Sequence, residues 1–574
     1  MFSFWSLLVA LSMQANAFSA PTYPKDYFST PLDIPLYLAG NFGELRTNHF
    51  HAGLDIKTQG KEGLPVFAAA EGYVSRIKIG LGGYGKALYI DHPNGYTTVY
   101  AHLQAYEGAI ADYVKKVQFE KESFTLEVFP QPGELPISKR QLVALSGNTG
   151  GSGGPHLHFE IRETESEIPV NPLLFGFPIR DNIKPIIRRV ALYPLADSSR
   201  IGHIATPKFM EVEGTNGRYH LKKDAPVEIK GALGLGLEVI DKMNGTSNRN
   251  GVYSIELRCD DRRIYYHEME KISFAESRYI NSHADYREKI LRSRWVQKSF
   301  LQPNNQLSIY REVAENGRLE LNDDQPHQLQ YIVKDVYGNT STLDFKVRQV
   351  QKGAHPAAKT PEHLVARFRF DRENLYQGEN IKVNLPKGLL YDHLNFEYRQ
   401  GAPTPNSLGP VHHVHHRTVA LQGYLRLALR LPPGSEAQRN KVFIAQLKSD
   451  GSFRSAAGGQ LEGDYLVTET KYFGRYAILV DSMAPSLVPV NIRQGANLSG
   501  QKTIAFEIHD ARSGLASFDG YIDGQWVLME YDRKTRRLQF DFEAHEISSG
   551  PHTFELRLTD NCNNERTFRA EFVR

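Results

Sequence analysis

The chain has 574 residues, of which 41% are hydrophobic, 11% aromatic and 23% charged, a composition that excludes wholesale disorder and points to packed cores. Its 68 basic residues nearly balance 65 acidic ones, for a net charge of +3, so it lacks the field that nucleic acid demands and no nucleic-acid partner is expected. At about 100 to 200 residues per domain, this length asks for three to five domains.

Residues 1–17 combine an apolar block, Phe2 to Met13, with Ala15-Asn16-Ala17, which has the small residues that signal peptidase accepts. The block is too short to span a membrane, and no later stretch reaches the roughly 20 apolar residues of a transmembrane helix. A signal peptide over 1–17, although it lacks an early Lys or Arg, implies export to the periplasm or cell envelope. No cysteine lies near the cleavage point, which argues against a lipid anchor. Only Cys259 and Cys562 exist, so disulfides are not expected to be the stabilising frame.

After a proline-spaced lead-in from Tyr23 to Leu45, the pattern predicts strands over Leu64–Ala70, Gly72–Ile79, Lys86–Asp91 and Tyr96–Ala101. In the second, Tyr73, Ile77 and Ile79 share one parity and Arg76 and Lys78 the other, the alternation of a half-buried strand. Turn residues such as Asp91-His92-Pro93-Asn94-Gly95 make this antiparallel sheet. Gly80-Leu81-Gly82-Gly83-Tyr84-Gly85 matches a dinucleotide-binding pattern, but that pattern needs a helix next and a strand follows, so a nucleotide site is rejected. A long connection then predicts a helix over Glu107–Val117, a strand over Ser123–Phe129 and a turn at Pro130–Gly133. A connection of this length often walls a site. The first domain is expected to close after Asn171–Phe175, giving a unit over 18–182.

Further on, Pro326-His327 leads into Leu329, Tyr331 and Val333 at alternate positions, then Asp335, Asn339 and a second alternating strand. Shifted by 225 positions, Pro551-His552 leads into Phe554, Leu556 and Leu558, then Asp560 and Asn564. Each copy reads as the closing hairpin of an immunoglobulin-like sandwich, which predicts such domains over 183–350 and 485–574. Side-chain to backbone hydrogen bonds in the turns account for the Asp and Asn pairs more simply than calcium does. Arg348 to Glu362 reads as a linker, and 363–481 as a further β-rich accessory domain.

The chemistry gathers in the first unit. His156 and His158 in Pro155-His156-Leu157-His158-Phe159-Glu160 share one face of a strand, with Leu157 and Phe159 on the other. A glycine-rich run, Gly147 to Gly154, delivers the chain into that strand, and His51-Ala52-Gly53-Leu54-Asp55 and Tyr100-Ala101-His102-Leu103 lie upstream. Histidines and a carboxylate that converge make an open transition-metal site with a basic group beside it. His49 reads as a solvent or outer residue, since three ligands suffice without it. Tyr100 is either a substrate donor or a packing residue, and the Gly147–Gly154 loop either binds substrate backbone or is a flexible hairpin. In Val411-His412-His413-Val414-His415-His416 adjacent histidines face opposite ways and no acid is near in sequence, which disfavours a second metal site.

These four ordered elements, His51–Asp55, Tyr100–Leu103, Gly147–Gly150 and His156–Glu160, resemble the signature of the lysostaphin-like and LytM-like zinc metallopeptidases that cut peptidoglycan peptides. The resemblance covers about residues 40 to 175; the segment Gln104 to Gln141 is longer than the family's usual connection. It implies a mainly β fold, an antiparallel metallopeptidase domain followed by β-sandwich domains. It also implies that His51, Asp55 and His158 bind Zn2+, with His102 and His156 flanking the activated water. A histidine then serves as base, because no His-Glu-x-x-His helix occurs and His267-Glu268-Met269-Glu270-Lys271 lacks the second histidine; the sequence leaves open which of the two it is. The function implied is an exported zinc metalloendopeptidase hydrolysing peptidoglycan cross-links. The alternatives are a non-catalytic wall-binding scaffold of the same fold, or a protease acting on proteins outside the wall. The sequence sets no oligomeric state.

Overall fold

The computed structural model describes residues 22–350, 362–545 and 547–574; the expected signal peptide and most of the expected linker lie outside them. The first unit is built on a nine-stranded sheet. Its principal strands are β1 (Leu38–Gly40), β2 (Leu54–Lys57), β3 (Gly72–Ile79), β4 (Lys86–Asp91), β5 (Tyr96–Ala101), β6 (Leu126–Val128) and β7 (His156–Glu163), in the order β1-β2-β7-β5-β4-β3-β6. All six neighbouring pairs are antiparallel. Three of the four expected strands have the predicted bounds, and the first shortens to Pro65–Phe67.

β3 departs from simple alternation because Val74 and Ile77, three apart, are both buried. The register slips between Val74 and Arg76, and such a bulge carries the strand to its other face. β7 lies at the centre, buried along nearly its whole length. Leu157, Phe159 and Ile161 point into the main core, where Phe159 meets Tyr100 at 5.4 Å between ring centroids. Burying each such side chain stabilises the fold by roughly 1.5–3 kcal/mol. Helix α1 (Ala109–Glu120) turns Ile110, Val114 and Val117 onto the same core, the spacing of one helical face.

Later residues form further cores, and a shared cluster joins Phe42 and Phe50 of the first unit to Met269, Ile280 and Tyr391. The stretch from Ile186 to Gln349 is a connected set of twelve strands packed mainly around one core, with a smaller cluster of Ala191, Tyr193, Val296 and Phe300 beside it. Lys208–Thr215 joins its halves, pairing with Ile186–Pro194 at one end and Arg218–Leu221 at the other. A six- and a five-stranded sheet enclose the core of the next region, and a four- and a five-stranded sheet that of the last. Both expected closing hairpins are present, Pro326–Lys334 with Thr340–Gln349 and Pro551–Asp560 with Glu565–Val573. In their turns Asp335 accepts from the backbone N–H groups of Tyr337 and Asn339, and Asp560 from those of Cys562 and Asn564. Among the described residues no helix is long and apolar enough to cross a membrane.

Candidate metal centre

β2 and β7 set the geometry. His158 pairs directly with Asp55 across the ladder, so their side chains rise from one face, and His156 shares that face two residues earlier. Gly53 lets the strands approach: a Cβ there would lie 2.3 Å from the Phe159 carbonyl oxygen. His102 follows β5, where strand alternation would aim it with Tyr100 into the core. Its φ of +59° breaks the alternation at that residue, and its ring comes to 4.7 Å from that of His156.

Three donor atoms converge. His51 Nε2 lies 3.0 Å from Asp55 Oδ1 and 3.0 Å from His158 Nδ1, and His158 Nδ1 lies 2.9 Å from Asp55 Oδ1. A tetrahedral zinc with bonds of about 2.1 Å needs donors about 3.4 Å apart, so this triangle matches such a site to within about half an ångström. All three residues are buried.

The outer hydrogen bonds decide which atoms face inward. His51 Nδ1 donates to the Asn41 carbonyl at 2.8 Å and His158 Nε2 to Glu160 Oε1 at 2.8 Å. Each ring is thereby held with its other nitrogen toward Asp55. Asp55 Oδ2 accepts from Arg46, leaving Oδ1 for the centre. Likewise His102 Nδ1 donates to the Thr149 carbonyl at 2.9 Å, and His156 Nδ1 to the Gly154 carbonyl at 2.8 Å. His156 Nε2 is buried without a hydrogen-bond partner, 3.3 Å from Asp55 Oδ1.

Burial pushes His51 down to about 4; burial and the imidazoles of His158 and His156 push His102 down to about 3. Burial alone would lower His158, but the carboxylates of Asp55 and Glu160 reverse this and push it up to about 9. A dication among the same groups would compete with that proton. Burial would raise Asp55, yet the surrounding histidines hold it well below the usual carboxylate range. Glu160 is held down to about 2 against its burial, by Arg162 and then His158.

The structure thus brings together His51, Asp55, His102, His156 and His158. His49 is exposed and bonded to the Thr47 carbonyl. Tyr100 is packing: it is fully buried, and its hydroxyl accepts from Ala69 N. The glycines at 80–85, set aside as a nucleotide site, accommodate the loop after Gly147, since a Cβ on Gly85 would lie 2.4 Å from Thr149 Oγ1. Sequence reasoning missed the supporting roles of Asn41, Arg46, Glu160 and Arg162, and of Tyr84, whose hydroxyl donates to Glu160 Oε1. Glu160 and Arg162 were findable, because they continue the parity of His156 and His158 along β7. Arg46 and Asn41 carry no such signal. In the His412–His416 tract a correction is needed: the fold brings an acid, Glu397, to His416 at 3.0 Å, which sequence distance had hidden.

Residues 49–119 match the family described as Peptidase family M23, and residues 365–481 that described as a Zu5-like domain. Over 134 residues the chain is 34% identical to the DD-carboxypeptidase/endopeptidase Mpg of Neisseria meningitidis, covering 23% of this chain and 24% of that protein. Over 128 residues it is 34% identical to an uncharacterized metalloprotease of Haemophilus influenzae, covering 22% and 21%. The chain therefore spans about a quarter of the length of the curated relatives it matches. The catalytic domain of lysostaphin from Staphylococcus simulans aligns at 22% identity over 24% of this chain and 88% of its own, with a TM-score of 0.18.

Proposed function

The chain carries a peptidase family M23 domain, and from that premise we propose that it is an exported zinc metalloendopeptidase that hydrolyses peptide cross-links of bacterial peptidoglycan. The observation that carries this reading is the triangle of His51 Nε2, Asp55 Oδ1 and His158 Nδ1, with the inward nitrogens of His156 and His102 on its flank. Two imidazoles and one carboxylate are a zinc donor set that leaves a position for reactants. When bound, zinc would lower the pKa of water and polarise the scissile carbonyl.

The chain's own residues would do the rest. His156 Nε2, unpartnered and nearest to the triangle, takes the water's proton and passes it to the leaving amine. His102 stands against His156 and steadies the charge that builds on the substrate oxygen. Asn41, Arg46 and Glu160 keep the three donors aimed. The name of the Neisseria relative supports wall peptides as the substrate class. Export rests on the pattern of residues 1–17. The later regions act as accessory domains, immunoglobulin-like over 183–350 and 485–574 and β-rich over 363–481.

The test is metal analysis of the purified full chain beside digestion of peptidoglycan with a count of new amino groups. We expect about one zinc per chain, lost in Asp55→Ala, and amine release abolished in His156→Ala with zinc retained. A wild type that binds zinc and wall but releases no amine would instead favour the scaffold reading.

A further inference from the structure

Away from the histidines, three aspartates from distant segments meet where the first unit passes into the second. Asp181 lies on the connector, Asp241 follows the strand Leu233–Ile240, and Asp335 follows Pro326–Lys334. One carboxylate oxygen from each lies within 4.8 Å of the others. Asp241 is 2% and Asp335 4% exposed. None of the three is ion-paired to a Lys, Arg or His among the described residues. Three carboxylates so placed repel one another, and burial denies them water.

A second observation is the set of polar atoms left without partners. Asp181 Oδ2 and Asp241 Oδ1 are buried and make no hydrogen bond among the described residues. Asn250, 3% exposed, has neither its amide oxygen nor its amide nitrogen satisfied. Asn250 and Asp241 exchange both backbone hydrogen bonds across an antiparallel bridge, each at 2.9 Å, so the unpaired amide stands on the same side as the unpaired carboxylate. Buried polar atoms are rarely left so, and several in one place call for a ligand.

We propose that Asp181, Asp241 and Asp335, with the Asn250 amide oxygen, bind a calcium ion at the junction of the catalytic unit and the β region that follows. The donors are all oxygen, which selects a hard cation. They come from a connector and two strand ends at uneven spacing, which suits calcium's variable shell of six to eight oxygens better than the near-octahedral shell of magnesium. Burial and mutual repulsion push Asp181 up to about 6 and Asp241 to about 8, the direction a bound dication would reverse. Bound there, calcium would tie the connector to both strand ends and fix how the catalytic unit sits on its neighbour.

The last region supplies an internal control. Asp481, Asp510 and Asp560 also converge, and Asp560 is held by its turn just as Asp335 is. There, however, the other two carboxylates are met by the backbone N–H groups of Met483, Ser513 and Gly514, whereas Asp241 Oδ1 and Asp181 Oδ2 are left over. No orphaned carboxylate oxygen remains in that trio, so it is not assigned an ion.

The experiment is calorimetric titration of the zinc-loaded full chain, freed of calcium, with calcium chloride, together with its melting profile. One calcium per chain is expected, with a rise in Tm of about 5 °C at calcium a hundredfold above the dissociation constant. Asp241→Asn should abolish both responses and raise the calcium-free Tm, whereas Asp510→Asn should leave both intact. If Asp241→Asn fails to fold, Asp181→Asn on the connector replaces it. No calcium response in the wild type, or a response unchanged in Asp241→Asn and Asp181→Asn, would overturn the proposal.

Discussion

Two clusters in this chain have the same composition, two histidines and one carboxylate: His51, Asp55 and His158 in the first unit, and Glu397, His415 and His416 in the third. Their wiring differs. In the first, each ring donates its outer N–H to a fixed acceptor, Asn41 O or Glu160 Oε1, and turns its other nitrogen to the carboxylate. In the second, His415 Nδ1 accepts the backbone N–H of Glu397 at 3.2 Å, so the ring proton sits on Nε2, which is buried and unpartnered. His416 is exposed. A metal needs lone pairs, and only the first cluster presents them. Residue type and proximity therefore do not define a site; the hydrogen bonds behind the ligands do.

The most damaging way to break the first cluster without touching a ligand is Gly53→Ala. The added carbon meets the Phe159 carbonyl, so β2 must move from β7 and carry Asp55 away from His158. Overpacking of this kind costs about 1–3 kcal/mol. We expect zinc content and amine release both to fall below a tenth of wild type, checked by metal analysis and wall digestion. Glu160→Gln is milder. It keeps the shape but removes the charge that holds His158, so zinc affinity should fall by about 10- to 100-fold, with activity restored at high zinc. A competition titration with a chelator measures this, and unchanged affinity would count against the wiring account. The converse control is His415→Ala, which should leave the zinc stoichiometry unaltered.

The comparison also shows how far the sequence carries. Strands β3, β4 and β5, the face shared by His156 and His158, and the closing hairpins at Asp335 and Asp560 were legible because alternation and turn chemistry are local. The bulge at Val74, the left-handed backbone of His102 and the arrival of Arg46 at Asp55 were not, since each is set by packing between distant segments. The same limit hid Glu397 from the His412–His416 tract.

A smaller effect is expected where the last region touches the first. Lys534 donates to the backbone carbonyls of Asn148 and Ser152, and Lys86 pairs with Glu530 at 3.1 Å. The Lys534 contacts fall on the loop whose Thr149 carbonyl holds His102 and whose Gly154 carbonyl holds His156, and Lys86 borders it, its backbone N–H donating to Thr149 Oγ1. If the contact competes with substrate for that loop, Lys534→Ala should raise amine release. A gain of about tenfold is expected, the lower end of the roughly 1.5–3 kcal/mol of a hydrogen bond to a charged group, because Lys534 is exposed to solvent. A fall in release would mean that the contact supports the loop.

The second cluster's region has its own expected signature, in pH. Burial, and then the neighbouring His413 imidazole, pushes His412 down to about 4; burial, and then His416, does the same to His415. The ordinary value is 6.5, so between pH 6.5 and 4 the unfolded chain holds more protons at these positions than the folded one. Stability from this source is complete above 6.5 and is lost as pH falls toward 4, by up to about 3 kcal/mol for the almost fully buried His412. His412→Gln, which cannot titrate, should flatten that slope while leaving zinc content unchanged. Calorimetry of the full chain at several pH values in this window checks it, and an acid slope identical in wild type and variant would show that His412 is not its source.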